Sequence, residues 1–141
     1  MHSGEAIKVL VSMIGLDGHT TGGEVVASIL RDAGMEVVYL GIYQTPEMIV
    51  EAALQEDVDA IGISSHASNY SQIVQVAEAL KRKNADRIFV FCGGTIPKGE
   101  MAKLKEKGIA EVFLPRSSSE SIVNYVVSKV KESRAGLNQT T

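Results

Sequence analysis

Five short apolar runs rich in β-branched residues, at 7–11, 37–40, 60–63, 88–91 and 112–114, alternate with segments whose apolar residues recur at helical spacing. Each run has strand length, and its near-continuous hydrophobicity requires cover on both faces, which a parallel sheet between two helical layers provides. These features predict an α/β fold, a doubly wound five-stranded parallel sheet of flavodoxin-like (Rossmann-like) type with strand order 2-1-3-4-5. The 141 residues suit one domain, expected over 1–133, while the polar, aperiodic stretch 134–141 is expected to be a flexible tail.

The helical segments justify themselves in turn. The first aligns Val25, Val26, Ile29, Leu30 and Ala33 on one stripe and stops at Gly34. The second opens on Thr45-Pro46, a capping hydroxyl followed by a first-turn proline, and carries Met48, Ile49, Ala52 and Ala53. Ile73, Val76, Ala77 and Leu80 mark the third; Met101 and Leu104, with a stop at Gly108, mark the fourth. The fifth carries Ile122, Val123, Val126, Val127 and Val130.

A net charge of −3 with 22% charged residues lacks the basic balance of a nucleic-acid binder, so no nucleic-acid partner is expected. The lone Cys92 has no partner for an internal disulfide and sits in an apolar run, where a small buried hydrophobe is expected. No apolar stretch approaches the roughly 18 residues of a membrane span, and the first residues have no export-signal pattern. A cytoplasmic protein without a membrane partner is the expectation.

In doubly wound sheets, ligands bind beyond the carboxyl ends of the strands. The loops expected there hold residues 15–23, 64–69, 93–95 and 115–118, all rich in glycine and hydroxyls. The opposite connections, such as Arg31-Asp32-Ala33-Gly34 and Lys105-Glu106-Lys107-Gly108, are plain helix ends. Paired glycines admit a ligand close to the backbone, and a helix N-terminus at Gly23 offers N–H groups to a phosphate. A sizeable phosphate-bearing ligand is therefore expected.

Three ligands fit such a rim. A phosphoacceptor receiver domain needs an Asp after strand three and a Lys after strand five, where this chain has Ser64 and Arg116. A flavin carrier could use Thr20-Thr21-Gly22 for phosphate, but there is no Trp and no clear aromatic pair at the strand ends, although Tyr70 lies nearby. A nucleotide-like cofactor with a metal would use Asp17-Gly18-His19, in which an imidazole nitrogen meets the metal and the carboxylate holds the other ring N–H. By itself, Asp17-x-His19 is read as a solvated turn with Asp17 capping the next helix, in preference to a metal site.

The pieces together resemble the cobalamin-binding fold, with its signature Asp-x-His-x-x-Gly, Ser-x-Leu and Gly-Gly. Here these are Asp17, His19 and Gly22, then Ser64 with His66, then Gly93-Gly94, and the resemblance runs from about residue 8 to 130. It implies that His19 replaces the cofactor's dimethylbenzimidazole on cobalt, with Asp17 as its hydrogen-bond partner across Gly18. It further implies that Thr20, Thr21 and Gly22 line the freed nucleotide tail, that Ser64 bonds the benzimidazole with Ser65 beside it, and that Gly93-Gly94 flank the ribose and phosphate. Pro115 and Ser117 complete the set, although Ser117 also fits a capping box with Glu120.

The departures are Met13, where acyl-CoA mutases often carry a Lys; His66, where the family has Leu; and Arg116 after Pro115. His66 is expected to line the tail pocket rather than to ligate cobalt. Gly15-Leu16-Asp17-Gly18-His19 and Gln44-Thr45-Pro46-Glu47 look most like the acyl-CoA mutases of methylmalonyl-CoA and 2-hydroxyisobutyryl-CoA type. The resemblance thus implies a small subunit that binds adenosylcobalamin in an isomerase and is inactive without a large, acyl-CoA-binding barrel subunit. Corrinoid methyl carriers share the signature behind a helical module and are the alternative, beside glutamate-mutase small subunits and a carrier or sensor module.

Overall fold

The structure is a computed structural model that describes residues 6–15, 21–65 and 69–139. Asp17, Gly18, His19, Thr20 and His66 lie outside the described residues. The described chain forms five strands and five helices in strict alternation: β1 (Lys8–Ser12), α1 (Thr21–Asp32), β2 (Glu36–Gly41), α2 (Pro46–Glu56), β3 (Ala60–Ser65), α3 (Tyr70–Arg82), β4 (Phe89–Gly94), α4 (Lys98–Glu106), β5 (Glu111–Phe113) and α5 (Ser119–Gln139). All strand pairs are parallel and the order is β2-β1-β3-β4-β5, as the sequence predicts.

Alternation along each strand divides the core between the two faces. Leu10, Ile61 and Val90 pack with Ile49 of α2, Ile73 of α3 and Leu104 of α4. Val9, Val11, Phe89 and Phe91 face the other way and pack with Ala27 and Leu30 of α1 and with Ile122 and Val126 of α5. The helix ends follow their signals: Thr45 Oγ1 accepts from the Met48 amide at 3.1 Å, and Gly34 follows α1 with φ +92°.

Two features differ from the sequence expectation. β3 and β4 run on through Ser65 and Gly94, so these serines and glycines are paired strand residues, Ser64 opposite Gly93 and Ser65 opposite Gly94. A parallel ladder uses only backbone groups, so a change from apolar to polar side chains does not end it. The stripe expected on α1 is split: Gly23, Ala27 and Leu30 are buried, whereas Val25 is 51% exposed and Ala33 lies exposed beyond the helix. Helix α5 continues through residues 134–139, and near its end Arg134 pairs with Asp59 at 3.4 Å and donates to the Ala6 carbonyl.

At the amino ends of the strands Lys8 bridges Glu56 (2.9 Å) and Glu36 (3.3 Å), while its backbone N–H donates to Asp59. Glu56, with Glu36, outweighs partial desolvation and holds the Lys8 ammonium pKa above its ordinary value. This network joins β1, β2, α2 and α5 at the end of the sheet opposite the glycine-rich loops.

Candidate functional site

Beyond the carboxyl ends of the strands, a groove of about 290 Å³ opens between α1 and the sheet. Its α1 wall is Gly22, Val25, Val26 and Ile29; its floor includes Gly62, Ser64, Gly93 and Gly94; its far wall is formed by Phe113, Leu114, Pro115 and Ser117. Of the sequence-predicted site residues the structure thus brings together Gly22, Ser64, Gly93, Gly94, Pro115 and Ser117. Thr21 begins α1 and is exposed outside this lining, and Ser65 does not line it either. Ser65 is fully buried and donates its hydroxyl to Asn69 Oδ1 at 2.7 Å.

Side-chain deletion makes the groove. On the α1–α5 face of the sheet, β3 presents Gly62 and then Ser64, while β4 presents Phe91 and then Gly93. A β-carbon at Gly62 would stand 2.7 Å from the Phe91 ring, and one at Gly93 would stand 3.1 Å from the Phe113 carbonyl oxygen. Gly94 holds φ +123° with its backbone against the Ser65 carbonyl, a conformation and an approach that a side chain would not allow. In the first turn of α1 the close contact is with Met13, whose Sδ would lie 2.6 Å from a β-carbon on Gly23. The helix therefore settles onto the end of β1 while Val25, Val26 and Ile29 face the opening.

The resulting slot has apolar walls and hydroxyls at Ser64 and Ser117. That donor set fits a flat heteroaromatic group between Val25, Ile29 and Phe113, with a ribose and phosphate reaching the glycine backbone and hydroxyls. It fits the nucleotide tail of cobalamin. Cys92, on β4, offers no nucleophile: burial, reinforced by the Glu111 charge, pushes its thiol pKa up to about 12. A larger cavity of about 630 Å³ at the amino ends is lined by Lys8, Glu36, Glu56, Asp59 and Arg134, whose charges pair with one another.

Sequence reasoning placed Val25, Val26 and Ile29 on the apolar stripe of the first helix and did not name them as groove residues. It also passed over Asn69, whose Nδ2 donates to the Ile14 carbonyl at 2.8 Å. No group of three or more His, Cys, Asp or Glu that could hold a metal exists among the described residues, and all 3 histidines, His2, His19 and His66, lie outside them. Among the described residues no helix is long and apolar enough to cross a membrane.

Solved structures with this topology include a cobalamin-binding protein from Desulfitobacterium hafniense, at TM-score 0.77 and 16% identity over 89% of this chain and 60% of that one. The receiver domain of the response regulator NarL from Mycobacterium tuberculosis matches at TM-score 0.70 and 20% identity, over 90% of this chain and 98% of its own. These likenesses establish the fold. The sequence is more discriminating. The pivalyl-CoA mutase small subunit of Xanthobacter autotrophicus is 42% identical over 96% of this chain and 92% of its own length. The 2-hydroxyisobutanoyl-CoA mutase small subunit of Aquincola tertiaricarbonis is 38% identical over 88% and 92%. A methylmalonyl-CoA mutase of Rhizobium meliloti is 42% identical over 79% of this chain but only 16% of its own. The family described as B12 binding domain matches residues 7–122. With this match, the groove and the near full-length relatives in agreement, the chain belongs to the B12-binding domain family, among the small subunits of acyl-CoA mutases.

Proposed function

We propose that this chain carries adenosylcobalamin as the small subunit of a mutase that rearranges a short, branched acyl-CoA, with His19 as the cobalt ligand. The observation that carries the reading is the near full-length match to small subunits of pivalyl-CoA and 2-hydroxyisobutanoyl-CoA mutases. Bound cobalamin supplies cobalt–carbon homolysis, the radical-generating chemistry that no side chain offers.

The chain's own residues bind and orient. Val25, Ile29 and Phe113 exclude water from the tail, Ser64 and Ser117 offer it hydrogen bonds, and Gly22, Gly93 and Gly94 let it approach the backbone. Thr20 and Thr21 also contact the tail, and Asp17 holds the imidazole N–H of His19. Met13 brings a fully buried thioether rather than an ammonium to the end of β1, so Asp17 tunes His19 without a cation from that position. Ser65 acts behind the groove through its bond to Asn69, and His66 contacts the tail. The large subunit supplies the acyl-CoA barrel and the second wall that keeps water from a radical.

The test is reconstitution. The chain, adenosylcobalamin and large subunits of branched acyl-CoA mutases are expected to rearrange acyl-CoA together and not separately. Turnover by the isolated chain, or activity only with a corrinoid methyltransferase, would overturn the reading.

A further inference from the structure

Asn69 is a buried polar side chain, 9% exposed, between residues 66–68 and the first turn of α3. Its Oδ1 accepts from Ser65 Oγ at 2.7 Å and its Nδ2 donates to the Ile14 carbonyl at 2.8 Å. A carbonyl can only accept, so the Ile14 contact fixes which way the amide is turned. The Ser65 carbonyl accepts in turn from the Thr95 amide at 3.1 Å, beside Gly94. One hydrogen-bonded chain therefore runs from the end of β4 through the end of β3 to the end of β1.

The β1 end of this chain is held from other sides too. Met13 N–H donates to the Gly41 carbonyl at 3.0 Å and Gly15 N–H to the Gln44 carbonyl at 2.7 Å. Gly15 has φ +64°, and the Gln72 side chain from α3 packs where its β-carbon would be. In sequence, Asp17 and His19 follow Gly15 at once, so the point from which they depart is set by Asn69, Gln44 and Gln72.

Resting on the reading that His19 ligates cobalt, we propose that Asn69 is a positioning residue that couples histidine ligation to tail insertion. It ties the departure point of the His19 segment to the strand ends that carry Ser64, Gly93 and Gly94, so the imidazole and the tail groove keep one spacing. Only a primary amide of this length offers Ser65 an acceptor and Ile14 a donor at once. Asn69→Asp keeps the size and the Ser65 bond but loses the donor; Asn69→Ala loses both.

The experiment loads the full chain, labelled with ¹⁵N, with cob(II)alamin and reads affinity and electron paramagnetic resonance together. A protein nitrogen on cobalt gives two-line splitting, whereas the cofactor's own ¹⁴N benzimidazole gives three. The wild type is expected to show two-line splitting that His19→Ala abolishes. Both Asn69 variants are expected to bind about 10–100-fold more weakly and, at saturation, to lose part of the two-line signal. If Asn69→Ala does not fold, Asn69→Asp, with its volume unchanged, decides. Full two-line signal in a folded variant, at unchanged or reduced affinity, overturns the coupling and leaves the His19 reading intact. Absence of His19-dependent splitting in the wild type overturns the His19 reading itself.

Discussion

The Met13 sulfur lies under Gly23, 2.6 Å from where a β-carbon would stand, so the first turn of α1 rests directly on the end of β1. Gly23→Ala is expected to cost about 1–3 kcal/mol by overpacking, against a gain of roughly 1 kcal/mol in helix propensity. The net loss is expected to vanish or reverse in a Met13→Ala background, where the sulfur is gone. A double-mutant cycle by urea unfolding checks this.

Val25 is 51% exposed on an apolar groove wall, so it contributes little to the empty fold and more to a bound ligand. Val25→Ser is expected to change unfolding free energy by within about 0.5 kcal/mol. Covering the exposed half of a valine is worth on the order of 1 kcal/mol, or about fivefold in affinity. Cobalamin titration should show that loss, and equal affinity would place the tail elsewhere.

His19→Ala is expected to remove the nitrogen ligand from cobalt, while Asp17→Asn is expected to weaken binding or turnover about 10–100-fold without unfolding the domain. Turnover of the reconstituted enzyme and circular dichroism separate the two effects. Unchanged turnover in Asp17→Asn would reduce that carboxylate to a loop cap.

Glu111 titrates below its ordinary value of 4.5: burial raises its pKa, but the Lys105 ion pair and the Val112 amide together outweigh burial. The folded pKa being the lower one, its contribution is complete above about 4.5 and fades as pH falls through the folded value. Lys105→Met is expected to lower stability at neutral pH by less than about 1 kcal/mol, since the pair is partly exposed. The two proteins should converge in acid, as urea titrations from pH 7 to about pH 3 would record.

The sheet order was legible because five apolar runs alternate with five helical stripes, and the glycine-rich ends located the groove. Ser64 and Ser65 are expected side by side on one loop. In the extended β3 they point to opposite faces, Ser64 to the groove and Ser65 to Asn69. Asn69 left no local signal because its second partner, Ile14, is 55 residues away. Val25 and Ile29 carry the same pattern as core residues, and only the position of α1 over glycines distinguishes them.

The hydrogen bond from Arg134 to the Ala6 carbonyl brings the first described residue beside the last helix, at the amino ends of the strands and away from the groove. Chain added at either point would leave the groove's mouth open, so the same domain can serve as a separate polypeptide or as a module joined to a longer one. Relatives of both formats exist, one matched along nearly all its length and one along 16% of it. A single-chain enzyme made by joining a large subunit at either end through a long flexible linker should therefore keep its cofactor site accessible.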